Sequence, residues 1–242
     1  MDSFSPSRRT AFSVRGSVPG TAFQRRKWDV PPGVIGAGIA ETDFGTSPAI
    51  RRALHRAVDE GFLTYLPEGL ARDAEHACAD FLSHRFGWSP DRERVHLVPD
   101  VMAGFALAVE LLTRPGSPII VPTPCYMPFL TEPGRIGREV IEVPMRRRAD
   151  GRWTMDLTGI ENAFRAGGEL LVLCNPHNPI GQVMTRAEQQ EVATVVERFG
   201  GSVFEDAIHA PVTYPGAEYL PYATLSPVAA QHTVTGIATS KG

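Results

Sequence analysis

From about residue 94 onward, the chain alternates short runs that are continuously apolar or alternate apolar with polar residues with stretches whose apolar residues recur every third or fourth position. Runs at 94–98, 118–122, 139–145, 170–174, 202–206 and 232–238 predict strands. The intervening period predicts helices at 101–113, near 126–133 and at 157–166. A further helix is marked by the capping box Thr185 and Glu188, with Val192, Val195, Val196 and Phe199 on its inner face. Upstream, Ser47-Pro48 opens a helix whose Ile50, Leu54 and Val58 recur every fourth residue. A second amphipathic stretch aligns Leu70, Ala74, Ala77, Phe81 and Leu82, and residues 64–69 form a loop between the two. Residues 1–45 are rich in Pro, Gly, Ser and Arg without a sustained period, which predicts an arm ordered only at its end. Continuous apolar strands separated by helices predict an α/β fold: a mostly parallel sheet covered on both faces, three layers in all, over residues 46–242.

Composition narrows the partners more than the fold. A chain of 242 residues with 43% hydrophobic content has ample material for a buried core. Its net charge of −3 gives no basic field for nucleic acid and no polybasic segment for anionic lipid. Small-molecule chemistry is therefore the expectation. Cys78, Cys125 and Cys174 are an odd number without C-x-x-C spacing, which speaks against a disulfide framework or a zinc site and favours a reducing cytoplasm. No apolar run reaches membrane-spanning length and the first nine residues lack the apolar block of a signal peptide, so neither secretion nor anchoring is expected.

In a parallel α/β sheet, ligands bind beyond the carboxyl ends of the strands. Asn178, Asp206 and Lys241 are placed there by the strand pattern. Each has an ordinary structural reading: an Asn in a Pro-rich turn, an Asp ending a strand, a Lys after a buried strand. Three such groups at one end of a sheet form a candidate site.

The segments Asn175-Pro176-His177-Asn178-Pro179-x-Gly181, Asp206-x-Ile208-His209 and Ser240-Lys241 resemble fold-type-I pyridoxal-phosphate enzymes of aminotransferase class I/II. Lys27-Trp28-Asp29, Ala40-Glu41-Thr42-Asp43-Phe44 and Thr123-Pro124-Cys125-Tyr126-Met127-Pro128-Phe129 are similar to the cystathionine β-lyase branch of carbon–sulfur lyases, and the resemblance runs from about residue 27 to the end. It implies pyridoxal 5'-phosphate as cofactor. Lys241 would form a Schiff base with the cofactor aldehyde and, once freed, act as the base at the substrate Cα. Asp206 would keep the pyridine nitrogen protonated, since an opposite charge at contact distance favours the charged form. Asn178 would donate to the phenolic oxygen, and Tyr126 would stack on the ring, although Tyr126 also reads as ordinary core packing. The Val101 and Met102 amides at a helix N-terminus would meet the phosphate, with Ser240 adding a hydroxyl and Tyr65 reaching the phosphate of a neighbouring subunit. Asp100 stands where the family usually has glycine, and an N-cap turned toward its own helix accounts for it. His209, three residues after the aspartate, favours the lyase branch over aminotransferases that carry Tyr there, and a packed core histidine is its plain alternative. Ile180 for the usual Thr, and Glu205-Asp206-Ala207 for Ser-Asp-Glu, remove no catalytic group.

The resemblance thus implies β-elimination on an L-cysteine S-conjugate such as cystathionine, in a homodimer. A class I/II aminotransferase is the second expectation. A non-catalytic regulatory or interaction module on this fold is the third, weakened by the lack of a helix-turn-helix pattern before residue 47. Measured against the family, the small C-terminal domain and the strand after the lysine are expected to be missing from these residues, which alone would then form no competent enzyme.

Overall fold

The computed structural model describes residues 26–241, so most of the expected arm lies outside the described residues. Those described divide into two compact units, residues 26–66 with Lys241, and residues 67–240. In the first, Asp43 is the hub: Lys27 Nζ donates to its Oδ2 at 2.6 Å and Trp28 Nε1 to its Oδ1 at 2.8 Å. Helix α1 (Pro48–Asp59) forms where the Ser-Pro start predicts it. Its apolar row is not buried, however; Ile50, Leu54 and Val58 are all exposed.

The second unit opens with α2 (Glu68–Phe86), ended by Gly87 in the left-handed conformation at φ 66°, where a side chain would be strained. Only Ala79 and Leu82 of α2 are buried, and the expected row through Leu70, Ala74, Ala77 and Phe81 is exposed. Residues 94–98 are a second correction. A 3-10 turn, Arg92–Arg94, is followed by extended chain that pairs with no described strand, and Leu97 and Val98 are exposed. Its period of two satisfies the local rule, but a strand exists only with a ladder partner.

Beyond this point the pattern and the structure coincide to within about two residues. In order come α3 (Val101–Leu112), β1 (Ile119–Thr123), α4 (Pro128–Arg135) and β2 (Val140–Pro144). The link containing Trp153 forms a two-residue antiparallel ladder, β3 (Arg146–Arg147) with β4 (Trp153–Thr154). Then follow α5 (Leu157–Arg165), β5 (Leu170–Cys174), α6 (Arg186–Phe199), β6 (Ser202–Asp206), α7 (Pro227–Gln231) and β7 (Thr233–Gly236). The main sheet has the order β2-β1-β5-β6-β7 with every pair parallel.

Strand alternation sends Leu171, Leu173 and Val203 to one face, where they pack with Ile160 of α5 and Val192 and Val196 of α6. Leu170, Val172 and Phe204 go to the other, with Phe105 of α3 and Phe129 of α4. Both faces are covered, which is why the strands read as continuous apolar runs. Among the described residues no helix is long and apolar enough to cross a membrane.

Candidate active site

The strand order reverses at β1: β2 is added on one side of it and β5, next in the main sheet, on the other. Chains leaving neighbouring strands at such a switch diverge and open a crevice beyond the strands' carboxyl ends. Tyr126 follows β1 and Asn178 follows β5, so these two sequence-predicted residues flank the switch. Tyr126 is partly exposed, its ring edge-on to Phe129 with centroids 6.0 Å apart. Asn178 is half-buried, and its backbone N–H donates to the Cys174 sulfur at 3.4 Å.

Asp206 ends β6 one strand further along, in register with Cys174 on one side and Gly236 of β7 on the other. It is only 4% exposed. Burial pushes its carboxyl above the ordinary range; the Ile208 N–H, which donates to Oδ1 at 3.1 Å, the neighbouring His209 and the Cys174 thiol pull it back. His209 is half-buried in the turn after β6.

The N-terminus of α3 approaches the same strand ends. Asp100 caps it, its Oδ1 accepting from Ala103 N at 2.8 Å, and the Asp100 carbonyl accepts from Gly104 N. A helix leaves its first N–H groups without intrahelical partners, and the cap takes up neither Val101 N nor Met102 N. Gly236 lets this turn come close, since a Cβ there would stand 3.0 Å from Val101 Cγ1 and 3.1 Å from Phe204 Cζ. Ser240 is exposed in the 3-10 turn after β7.

Two predicted residues belong to the other compact unit. Tyr65 is 96% exposed, and Lys241 donates from Nζ to the Ala40 carbonyl at 2.9 Å. Within residues 67–240, the strand ends thus bring together uncommitted helix N–H groups, a buried carboxyl and an aromatic ring at the switch. That donor set suits a ligand with an anionic group, a flat ring and a basic ring nitrogen.

Sequence reading passed over two members of this neighbourhood. Cys174 sits between Asn178 and Asp206, and nothing in an apolar run ending in Cys marks it out. Glu205 is fully buried on the opposite face, accepting from Tyr219 OH at 2.9 Å, Tyr222 N at 3.2 Å and Thr235 Oγ1 at 2.9 Å. A charged residue inside the run Ser202-Val203-Phe204-Glu205 was the available signal.

Comparison with known proteins agrees with this architecture. The chain is 37% identical over 216 residues to cystathionine beta-lyase of Corynebacterium glutamicum, covering 89% of this chain and 56% of that protein. It is 30% identical over 226 residues to cystathionine beta-lyase PatB of Bacillus subtilis, covering 90% and 57%. The chain spans about half the length of the curated relatives it matches. Cystalysin of Treponema denticola, a crystal structure with pyridoxal 5'-phosphate, superposes with TM-score 0.85 at 24% identity over 96% of this chain and 60% of that one, a likeness of fold. The profile described as aminotransferase class I and II matches residues 32–242, and the chain belongs to that family.

Proposed function

We propose that the protein is a pyridoxal-phosphate-dependent carbon–sulfur β-lyase acting in the cytoplasm on L-cysteine S-conjugates such as cystathionine, releasing a thiol, pyruvate and ammonia. The observation that carries the reading is the buried Asp206 carboxyl at the strand ends, on the sheet face that α3 covers, with its register partner Gly236 close against Val101 at that helix's N-terminus. Kinship with proteins named cystathionine beta-lyase supports the choice of reaction.

In this reading residues 46–242 form the cofactor-binding domain, preceded by an arm at 1–45. The Val101 and Met102 amides and the Ser240 hydroxyl take the phosphate, where free N–H groups and the helix dipole favour an anion. Asp206 holds a proton on the ring nitrogen by its opposite charge, with His209 behind it. Asn178 donates to the phenolic oxygen and Tyr126 covers the ring face. When bound, the cofactor supplies an electron sink for the substrate Cα. Lys241 would hold it and, when released, would take the Cα proton as the Cβ–S bond breaks with its electron pair on sulfur; the thiolate would then be protonated to the thiol, and the released enamine would react with water to give pyruvate and ammonia. Tyr65, with its side chain in solvent, is assigned to the phosphate of the partner subunit in a homodimer.

Transamination by the same residues is the second reading, favoured by the family's breadth. One assay separates the two. The full-length protein given pyridoxal phosphate and cystathionine is expected to release pyruvate without an added keto acid. Lys241→Ala is expected to lose both the visible absorbance of lysine-bound cofactor and the pyruvate, with its circular dichroism unchanged. Product that appears only with a keto acid assigns the protein to transamination, and a retained absorbance band removes Lys241 from its role.

A further inference from the structure

We propose that Cys174 is a positioning residue of this site: its thiol links the Asn178 turn to the Asp206 carboxyl, so that the two are set as one unit. The inference rests on reading Asn178 and Asp206 as cofactor contacts.

The register makes the link available. Cys174 and Asp206 are direct partners across the β5–β6 ladder, and alternation puts both on the face that α3 covers. Asn178 N–H donates to Cys174 Sγ at 3.4 Å, and Sγ lies 3.7 Å from Asp206 Oδ2 and 3.4 Å from the Pro176 carbonyl. A thiol carries one proton and accepts weakly, so it receives from Asn178 and shares its proton between Pro176 O and Asp206 Oδ2. The other Asp206 oxygen, Oδ1, is held by Ile208 N–H. The carboxyl is therefore gripped from both sides: by the turn that follows it and by the neighbouring strand.

A thiol suits the task because it donates without adding charge. A lysine or arginine at this place would pair with Asp206 and compete with the protonated ring nitrogen for its charge. Burial keeps the Cys174 proton in place by pushing the thiol well above its ordinary range, and the adjacent Asp206 charge pushes it further. The remaining groups that bear on Asp206 are His209 in the following turn, Glu205 beside it on the other face, and Tyr219. Of these, Tyr219 turns its hydroxyl to Glu205 on the opposite face.

The test is a carbon-13 NMR titration of the Asp206 carboxyl in cofactor-free full-length protein, followed by cofactor binding. Cys174→Ala removes the donor to Oδ2 and is expected to raise the Asp206 pKa by about half a unit, and to weaken pyridoxal phosphate binding roughly threefold to tenfold. Cys174→Ser keeps a donor of greater strength and is expected to lower the Asp206 pKa below its wild-type value, with affinity largely restored. A purely packing role for the sulfur predicts no movement of the Asp206 titration in either variant, and that result overturns the link. If Cys174→Ala does not fold, the Ser variant decides alone: an Asp206 pKa that falls below wild type supports the link, and one at or above wild type refutes it. Wild-type protein that binds no pyridoxal phosphate would refute the cofactor reading, while the cofactor-free titration still judges the link.

Discussion

Glu205 and His177 are buried titratable groups that the proposed chemistry does not use, and they pull stability in opposite directions with pH. Burial raises Glu205 from its usual 4.5 to about 7, against the pull of its Tyr219, Tyr222 and Thr235 donors. A carboxyl raised on folding contributes stability that is fully present below pH 4.5 and lost as pH climbs to about 7. Burial lowers His177 from 6.5 to about 4, so its contribution is present above pH 6.5 and lost as pH falls toward 4. Each shift corresponds to about 3 kcal/mol, so the two slopes nearly cancel where they overlap. In Glu205→Gln, the amide oxygen keeps the Tyr219 and Tyr222 donors while its NH2 turns toward Thr235 Oγ1. The variant's unfolding midpoint is then expected to climb more steeply from pH 4.5 to 6.5 than that of wild type, because His177 and the likewise lowered His232 act without the opposing Glu205 slope. Superimposable wild-type and variant midpoint curves would show that Glu205 does not titrate in this window.

At the scale of elements, α6 shows how local signals fix a boundary. Thr185 Oγ1 accepts from Glu188 N at 3.2 Å while Glu188 Oε2 accepts from Thr185 N at 2.7 Å, and Gly200 at φ 61° stops the helix. Thr185→Ala is expected to cost about 1 kcal/mol, lowering the thermal midpoint by about 2–4 °C in calorimetry. An unchanged midpoint would mean that the box is dispensable. Such determinants lie within a few residues of each other, so α6, β5 and β6 were legible in the sequence almost to the residue. The misreadings share one cause, dependence on a distant partner. Residues 94–98 have the alternation of a strand but no ladder beside them, and the Ile50, Leu54 and Val58 row has the period of a buried face but nothing over it among the described residues. The candidate site divides along the same line. Asn178 and Asp206 could be placed at strand ends from the pattern, whereas the position of Cys174 between them depends on the β5–β6 register, which only the folded sheet displays.

Across the whole sheet, the two ends are built for different work. At the end where the strands begin, Glu169 accepts from Arg114 N at 2.7 Å and from Ser117 Oγ at 2.8 Å, and it pairs with the Arg114 guanidinium; Arg138 donates to the Arg114 carbonyl. These bonds tie the loop after α3 to the starts of β5 and β2, and the donors to Glu169 hold its carboxyl below the ordinary range although burial opposes them. At the other end, the first N–H groups of α3 are uncommitted, and burial raises Asp206 rather than lowering it. Binding groups that are held ready for a ligand leave some of their own stabilisation unrealised, so stability and function should separate along the strands. Glu169→Gln is expected to lose about 1 kcal/mol of stability through its weakened charge-assisted bonds, with pyridoxal phosphate affinity unchanged. Asp206→Asn is expected to keep or raise the unfolding midpoint, because it removes a buried carboxyl, while turnover falls on the order of a hundredfold or more under the role proposed above, in which its charge holds the ring-nitrogen proton. Denaturant unfolding and pyruvate release measured on both variants check the pair. Equal losses of stability and turnover in each would show that scaffold and site are not divided between the two ends of the sheet.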